Sequence, residues 1–205
     1  WRDRLALKVA CITGSSGKTS TKEFVAAIFS ARYQVVKTEG NLNNHIGLPL
    51  SILAASTADD AAVWEIGMNH PGEIAPLAAL ARPDLAIITN IGVAHMEHMG
   101  SREAIADEKG DLAEAVPSEG VVLLPAEDDF VERLASRARG RVIRAGFSSG
   151  SVTASDVQVT EDGVRFTLHA EEESLPARLA VPGRHMVANA LLAVAAGLEF
   201  GVSIE

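Results

Sequence analysis

Along most of the chain, continuous apolar runs alternate with segments of helical period. The runs at 7–13, 34–37, 61–66, 84–90, 120–125 and 141–145 predict strands buried on both faces. Segments at 18–31, 47–56, 72–81, 101–116 and 128–138 predict helices between them, with Pro71-Gly72, Ser101 and Pro117 as caps or breakers. Strands and helices in strict alternation imply an α/β fold, a mostly parallel sheet with helices on both faces. From about residue 150 the period shortens to two. Val157 to Leu168 alternates around an Asp162-Gly163 turn and predicts a β-hairpin; 175–181 adds a strand, giving a small antiparallel subregion near 150–181. A last helix is expected over 184–200.

Composition narrows the class. With 205 residues, 47% of them hydrophobic and 22% charged, the chain suits one folded domain rather than a disordered segment. Its 18 Lys and Arg stand against 27 Asp and Glu, a net charge of −9, which argues against a generic binder of nucleic acid or of anionic membrane. No apolar stretch reaches the length of a membrane span, and Trp1-Arg-Asp-Arg4 lacks the apolar segment of a signal peptide. The single cysteine, Cys11, has no internal disulfide partner and lies in the strand-like run Val9 to Ile12, so a reducing cytoplasm is the expected compartment. The absent initiating Met and the end just after a helical pattern suggest an excised piece of a longer protein, in which function draws on other parts.

The first predicted strand runs directly into Thr13-Gly-Ser-Ser-Gly-Lys-Thr-Ser20, and an amphipathic helix follows. Strand, glycine loop and helix are the context of a phosphate loop, which points to a P-loop NTPase-like arrangement. Gly14, Ser15, Ser16 and Gly17 would turn main-chain N–H groups toward phosphate oxygens, Lys18 would neutralise the terminal phosphates, and Thr19, followed by Ser20, would offer a hydroxyl to Mg²⁺. Ile12 occupies the place of the first Gly in the full G-x-x-x-x-G-K-[ST] pattern, so only the shorter form is present.

Ligands of open α/β sheets sit beyond the carboxyl ends of the strands. Glu65 ends the strand 61–66 and could complete a Mg²⁺ shell begun by Thr19, or serve as an edge or capping carboxylate. His95 follows the strand 84–90 and could ligate metal, contact phosphate, or merely be hydrogen-bonded; His98 is read as structural. Lys109 is the oddity. At about 100° per residue it falls on the apolar stripe of helix 101–116, with Ile105, Ala106, Leu112 and Ala113, while Glu103, Asp107, Asp111 and Glu114 take the opposite face. A lysine there must be paired, snorkelling or chemically altered; a neutral amine could take up CO₂ and become an anionic carbamate able to bind Mg²⁺.

Together these pieces resemble the ATP-dependent Mur ligase family. The segments are the glycine loop, Thr38-Glu-Gly-Asn-Leu-Asn-Asn-His-Ile-Gly-Leu-Pro49, Glu65-Ile-Gly-Met-Asn-His-Pro-Gly-Glu-Ile74, Asn90-Ile-Gly-Val-Ala-His-Met-Glu-His-Met-Gly100 and Glu108-Lys-Gly110. The resemblance covers 1–205 as the family's central ATP-binding domain, with an amino-terminal UDP-binding domain and a carboxyl-terminal ligase domain outside it. The Asn41 to Asn44 and Gly67 to Ile74 segments favour the member that joins D-Ala-D-Ala to UDP-muramyl-tripeptide for peptidoglycan over folylpolyglutamate and cyanophycin synthetases.

The resemblance implies a set of roles. Lys18 binds ATP phosphates, Thr19 and Glu65 hold one Mg²⁺, and His95 with carbamylated Lys109 holds a second. Asn41, Asn43, Asn44 and Asn69 would line the muramyl-peptide side, although an Asn cluster alone reads as a turn. Asn189, in Gly183-Arg-His-Met-Val-Ala-Asn189, would lie near adenine, with Met186 departing from the Asn usual there. The reaction implied proceeds through an acyl phosphate, in a monomer. Two rivals stay open: a serine hydrolase using Gly146-Phe-Ser-Ser-Gly150 with Asp156 and His169 or His185, and a nucleotide-switched module without ligation.

Overall fold

The structure, a computed structural model, describes residues 1–204. A short 3₁₀ turn, Arg2–Arg4, precedes β1 (Lys8–Thr13), α1 (Lys18–Phe29), β2 (Val35–Lys37), α2 (Gly47–Ala54), β3 (Ala61–Glu65), α3 (Ile74–Ala81) and β4 (Leu85–Ile88). There follow α4 (Met96–Met99), α5 (Arg102–Ala115), β5 (Val121–Pro125), α6 (Val131–Ala135), β6 (Arg141–Gly146), β7 (Val152–Thr160), β8 (Gly163–Ala170), β9 (Glu173–Leu179) and α7 (Arg184–Glu199). No helix among the described residues is long and apolar enough to cross a membrane.

All strands join one sheet in the order β2-β3-β1-β4-β5-β6-β7-β8-β9. Pairing is parallel from β2 through to β7 and antiparallel from β7 to β9. Successive residues of a strand face opposite sides, so Val9 and Cys11 enter one core cluster while Ala10 and Ile12 enter the other. The first cluster packs beneath α2, α3, α5 and α6, with Trp64 and Ile105 fully buried. The second is covered by α1 and α7, where Phe29 stacks on Phe200 at a centroid distance of 4.6 Å.

Most predicted elements appear with ends shifted by a few residues. The antiparallel region differs in kind: β7 begins at Val152, pairs with β6 and extends the main sheet. Its register shifts between Ser155 and Gln158, where Asp156 has φ 54°, and that bulge interrupts the alternation from which a later start is inferred. The sequence pattern also misses α4, a single turn that starts after His95 at φ 65°. Strand β4 stops at Ile88, which leaves Thr89 and Asn90 free to serve the loop beyond it.

Candidate functional site

Strand β1 lies between β3 and β4, so its tip adjoins theirs. In the loop that leaves it, Gly17 has φ 79° and Gly14 φ 150°. A Cβ on Gly14 would stand 1.8 Å from Thr89 Oγ1, and one on Gly17 2.6 Å from Asn189 Oδ1, so the loop needs glycine for space as well as for backbone angle. Asn90 fixes its shape. Its Oδ1 accepts from Ser16 N at 2.9 Å, its carbonyl from Ser15 N at 3.0 Å, and its Nδ2 donates to Ser16 Oγ at 2.7 Å. Ser15 Oγ accepts from Gly92 N at 2.9 Å. The first N–H groups of α1 remain for a ligand, at the positive end of a helix.

Lys18 Nζ donates to Gly14 O at 2.9 Å, folding over the loop. Burial lowers its pKa, against which the Glu65 carboxylate acts. Thr19 Oγ1 donates to Glu65 Oε2 at 3.0 Å, and Asn43 Nδ2 donates to Glu65 Oε1 at 2.8 Å. Glu65 itself is 2% exposed, and its main-chain N–H is held by Thr38 Oγ1 at 3.0 Å. A buried carboxylate beside a hydroxyl, at the start of the helix after a phosphate loop, is a hard-oxygen donor pair that fits Mg²⁺. Among the described residues no three His, Cys, Asp or Glu side chains gather to hold a metal by themselves, so phosphate oxygens would have to complete the shell.

Lys109 is 1% exposed and its pKa falls to about 7, chiefly through burial and then through the charge of Lys18, with Glu108 opposing. His95 is also shifted down, by burial and then by the charges of Lys109 and Lys18. Lys18, His95 and Lys109 thus share one electrostatic neighbourhood, drawn from three elements that sequence spacing keeps apart. Such a field favours an anion.

The asparagines divide. Asn43 reaches Glu65, whereas Asn44 Oδ1 accepts from Ile46 N and Gly47 N at 3.1 and 2.9 Å and so ties down the start of α2. Asn41 and Asn69 have exposed side chains, and Asn69 N donates to Glu73 Oε2 at 2.7 Å. Asn189 lines a cleft of about 470 Å³ beside Gly17, shared with Glu127, Phe147 and Met186.

Sequence reasoning assigned no role to Thr89, Asn90, Lys22 or Glu108. Lys22, 1% exposed, donates to Thr38 O at 2.8 Å and Gly40 O at 3.2 Å, bracing the loop that carries Asn43. Its place one turn after Thr19 was the available signal.

The hydrolase rival fails on geometry. Ser148 Oγ donates to Glu127 Oε1 at 2.8 Å, while His169 contacts Ser155 and Ser174 at 2.9 and 2.8 Å. No helix follows Gly150; the chain enters β7.

A largely parallel sheet whose first strand ends in this loop, with Lys18 and Thr19 opening the next helix, defines a phosphate-loop nucleotide-binding protein. Within that class the chain belongs to the Mur ligase family: the Mur ligase middle domain matches residues 12–197. It is 42% identical over 201 residues to the UDP-N-acetylmuramoyl-tripeptide--D-alanyl-D-alanine ligase of Mycobacterium tuberculosis, covering 97% of this chain and 39% of that protein. A crystal structure of MurF from Acinetobacter baumannii superposes with TM-score 0.95 at 36% identity, over 99% of this chain and 45% of that one. The MurF ligase of Thermotoga maritima in complex with ADP gives TM-score 0.91 at 27% identity, over 99% and 48%. The chain therefore spans less than half the length of these relatives.

Proposed function

We propose that residues 1–205 are the central ATP-binding domain of a cytoplasmic ligase of peptidoglycan precursor synthesis, which joins D-Ala-D-Ala to UDP-N-acetylmuramoyl-tripeptide. The amino-terminal UDP-binding and carboxyl-terminal ligase domains lie outside this chain, and the whole protein acts as a monomer. The observation that carries the reading is Glu65, buried at 2% exposure and bonded at once to Thr19 of the nucleotide helix and to Asn43 of the facing loop. One carboxylate so placed joins a phosphate site to an acceptor site. The ADP complex of the Thermotoga relative supports ATP as the nucleotide.

In this reaction the tripeptide's terminal carboxylate attacks the γ-phosphorus of ATP, and the bond to the β-γ bridging oxygen breaks, giving acyl phosphate and ADP. The amine of D-Ala-D-Ala then attacks the acyl carbon, losing a proton as phosphate departs. No protein nucleophile is required, so the chain's work is to hold two anions in line and reduce their repulsion. Lys18 supplies charge at the terminal phosphates, the amides after Gly17 cradle them, and Asn41, Asn43, Asn44 and Asn69 border the muramyl-peptide side. Asn189 supports the adenosine side of the cleft. Two Mg²⁺ ions, one on Thr19 and Glu65 and one on His95 and Lys109, would neutralise phosphate and carboxylate oxygens. For that role Lys109 would be a carbamate, formed when its neutral amine adds to CO₂ and releases a proton; a pKa of about 7 leaves enough neutral amine.

Full-length protein should release phosphate only when ATP, UDP-muramyl-tripeptide and D-Ala-D-Ala are all present. Lys109→Ala should fold yet lose most turnover, and added CO₂ should not rescue it. Turnover at the parent rate would refute the role of Lys109, and phosphate release indifferent to both peptides would indicate a nucleotide switch instead.

A further inference from the structure

We infer that Glu108 is a positioning residue for the acceptor side, holding the loop 67–73 against the helix that carries Lys109; the inference rests on the ligase reading above. Glu108 lies on α5 and is 7% exposed. Its Oε2 accepts from Gly72 N at 2.7 Å, and its Oε1 from Glu73 N and Ile74 N, each at 2.8 Å. Three main-chain donors thus converge on one buried carboxylate from a different element. Helix α3 has no side-chain cap of its own, so Glu108 supplies from across the helix interface the anion that its N-terminus favours.

The contact does not stop at the helix end. Glu73, whose N–H Glu108 holds, turns its own carboxylate back along the loop, where Oε2 accepts from Asn69 N at 2.7 Å and Oε1 meets His70 Nδ1 at 3.3 Å. A continuous path therefore runs from α5 through Glu108 and Glu73 to Asn69. Lys109 is the next residue on α5, so the buried amine and the loop bearing Asn69 are fixed relative to one another by neighbouring positions. A mere helix cap would serve stability alone. A positioning residue would also set where the acceptor substrate sits relative to Lys109, and small misplacements there are expensive in rate.

The test uses full-length Glu108→Gln, which keeps one acceptor oxygen but sets an amide NH₂ against Gly72 N–H, with Leu112→Val on the same helix as a stability control. For Glu108→Gln the KM for UDP-muramyl-tripeptide should rise about tenfold or more, while the KM for ATP changes less than about twofold. Amide exchange at residues 69–74 should quicken in this variant and not in Leu112→Val. A parent-like tripeptide KM, or an equal rise in Leu112→Val at matched melting temperature, overturns the inference. Should the parent itself join nothing, the ligase reading falls, and unchanged exchange at 69–74 in Glu108→Gln would separately overturn the positioning role.

Discussion

Thr19 Oγ1 lies 3.0 Å from Glu65 Oε2, which links the first turn of α1 to the tip of β3. Replacing that carboxylate by an amide preserves size and an acceptor for Thr19 but removes the charge. Glu65→Gln should therefore keep its fold while its affinity for an ATP analogue in the presence of Mg²⁺ drops roughly 10- to 100-fold, the range seen when a metal's surroundings are altered. Calorimetric titration with Mg²⁺ present and absent checks this. Equal affinities of variant and parent with Mg²⁺ would count against metal binding at Glu65.

Lys109 makes stability depend on pH. Its pKa is 10.5 as an ordinary lysine and about 7 here. Between those values the unfolded chain holds the proton and the folded chain has released it, so folding stability rises as pH increases from about 7 to 10.5. Below the lower value the folded state carries the whole penalty of a buried ammonium. In CO₂-free buffer, Lys109→Met should raise the melting temperature most at or below neutral pH, with the gain fading toward pH 10.5. Thermal melts across that range are the measurement, and a gain independent of pH would contradict the assignment.

Gly17 combines φ 79° with Asn189 Oδ1 2.6 Å from where a Cβ would be. Gly17→Ala should lower stability by about 1 kcal/mol or more and weaken ATP-analogue binding. Adding Asn189→Ala should recover part of the loss, because it removes the steric overlap and leaves only backbone strain. Gly40→Ala, at φ 52° with nothing within 4 Å of its Cβ, serves as the control for backbone strain without steric overlap. Strictly additive losses would show that Asn189 is not the obstacle.

Cys11 is fully buried in β1, and burial pushes its thiol pKa far upward. Neutral and shielded, it should resist thiol reagents in native protein and react only on unfolding. As the single cysteine of the chain it would report that opening directly. Labelling that completes within seconds under native conditions, with no dependence on denaturant, would disagree with this burial.

The α/β alternation and the glycine loop were legible because both are local: buried parallel strands read as apolar runs, and the loop's residues are contiguous. Lys109 stood out for a similar reason, being a charge on an apolar stripe. What could not be read was pairing across the chain. Nothing in Glu108 foretells three amides supplied by residues 72–74, and nothing in Asn44 foretells that its Oδ1 also secures the start of α2. Asn90 was visible at a strand end, but its grip on Ser15 and Ser16 depends on which strand lies beside β1, and sheet order is set by tertiary packing rather than by neighbours in sequence.

The parallel register that sets Ile12 opposite Glu65 has one more result. Because side chains alternate across a strand, a single deletion within β3 would turn that carboxylate through the sheet to the α2 and α3 side, where the Trp64 indole is packed. The molecule can therefore tolerate drift in the length of its surface connections far more readily than in its central strands. Its chemistry is written in alignment: correct residues one step out of phase would cost the protein both its phosphate-side carboxylate and the packing of its central strand.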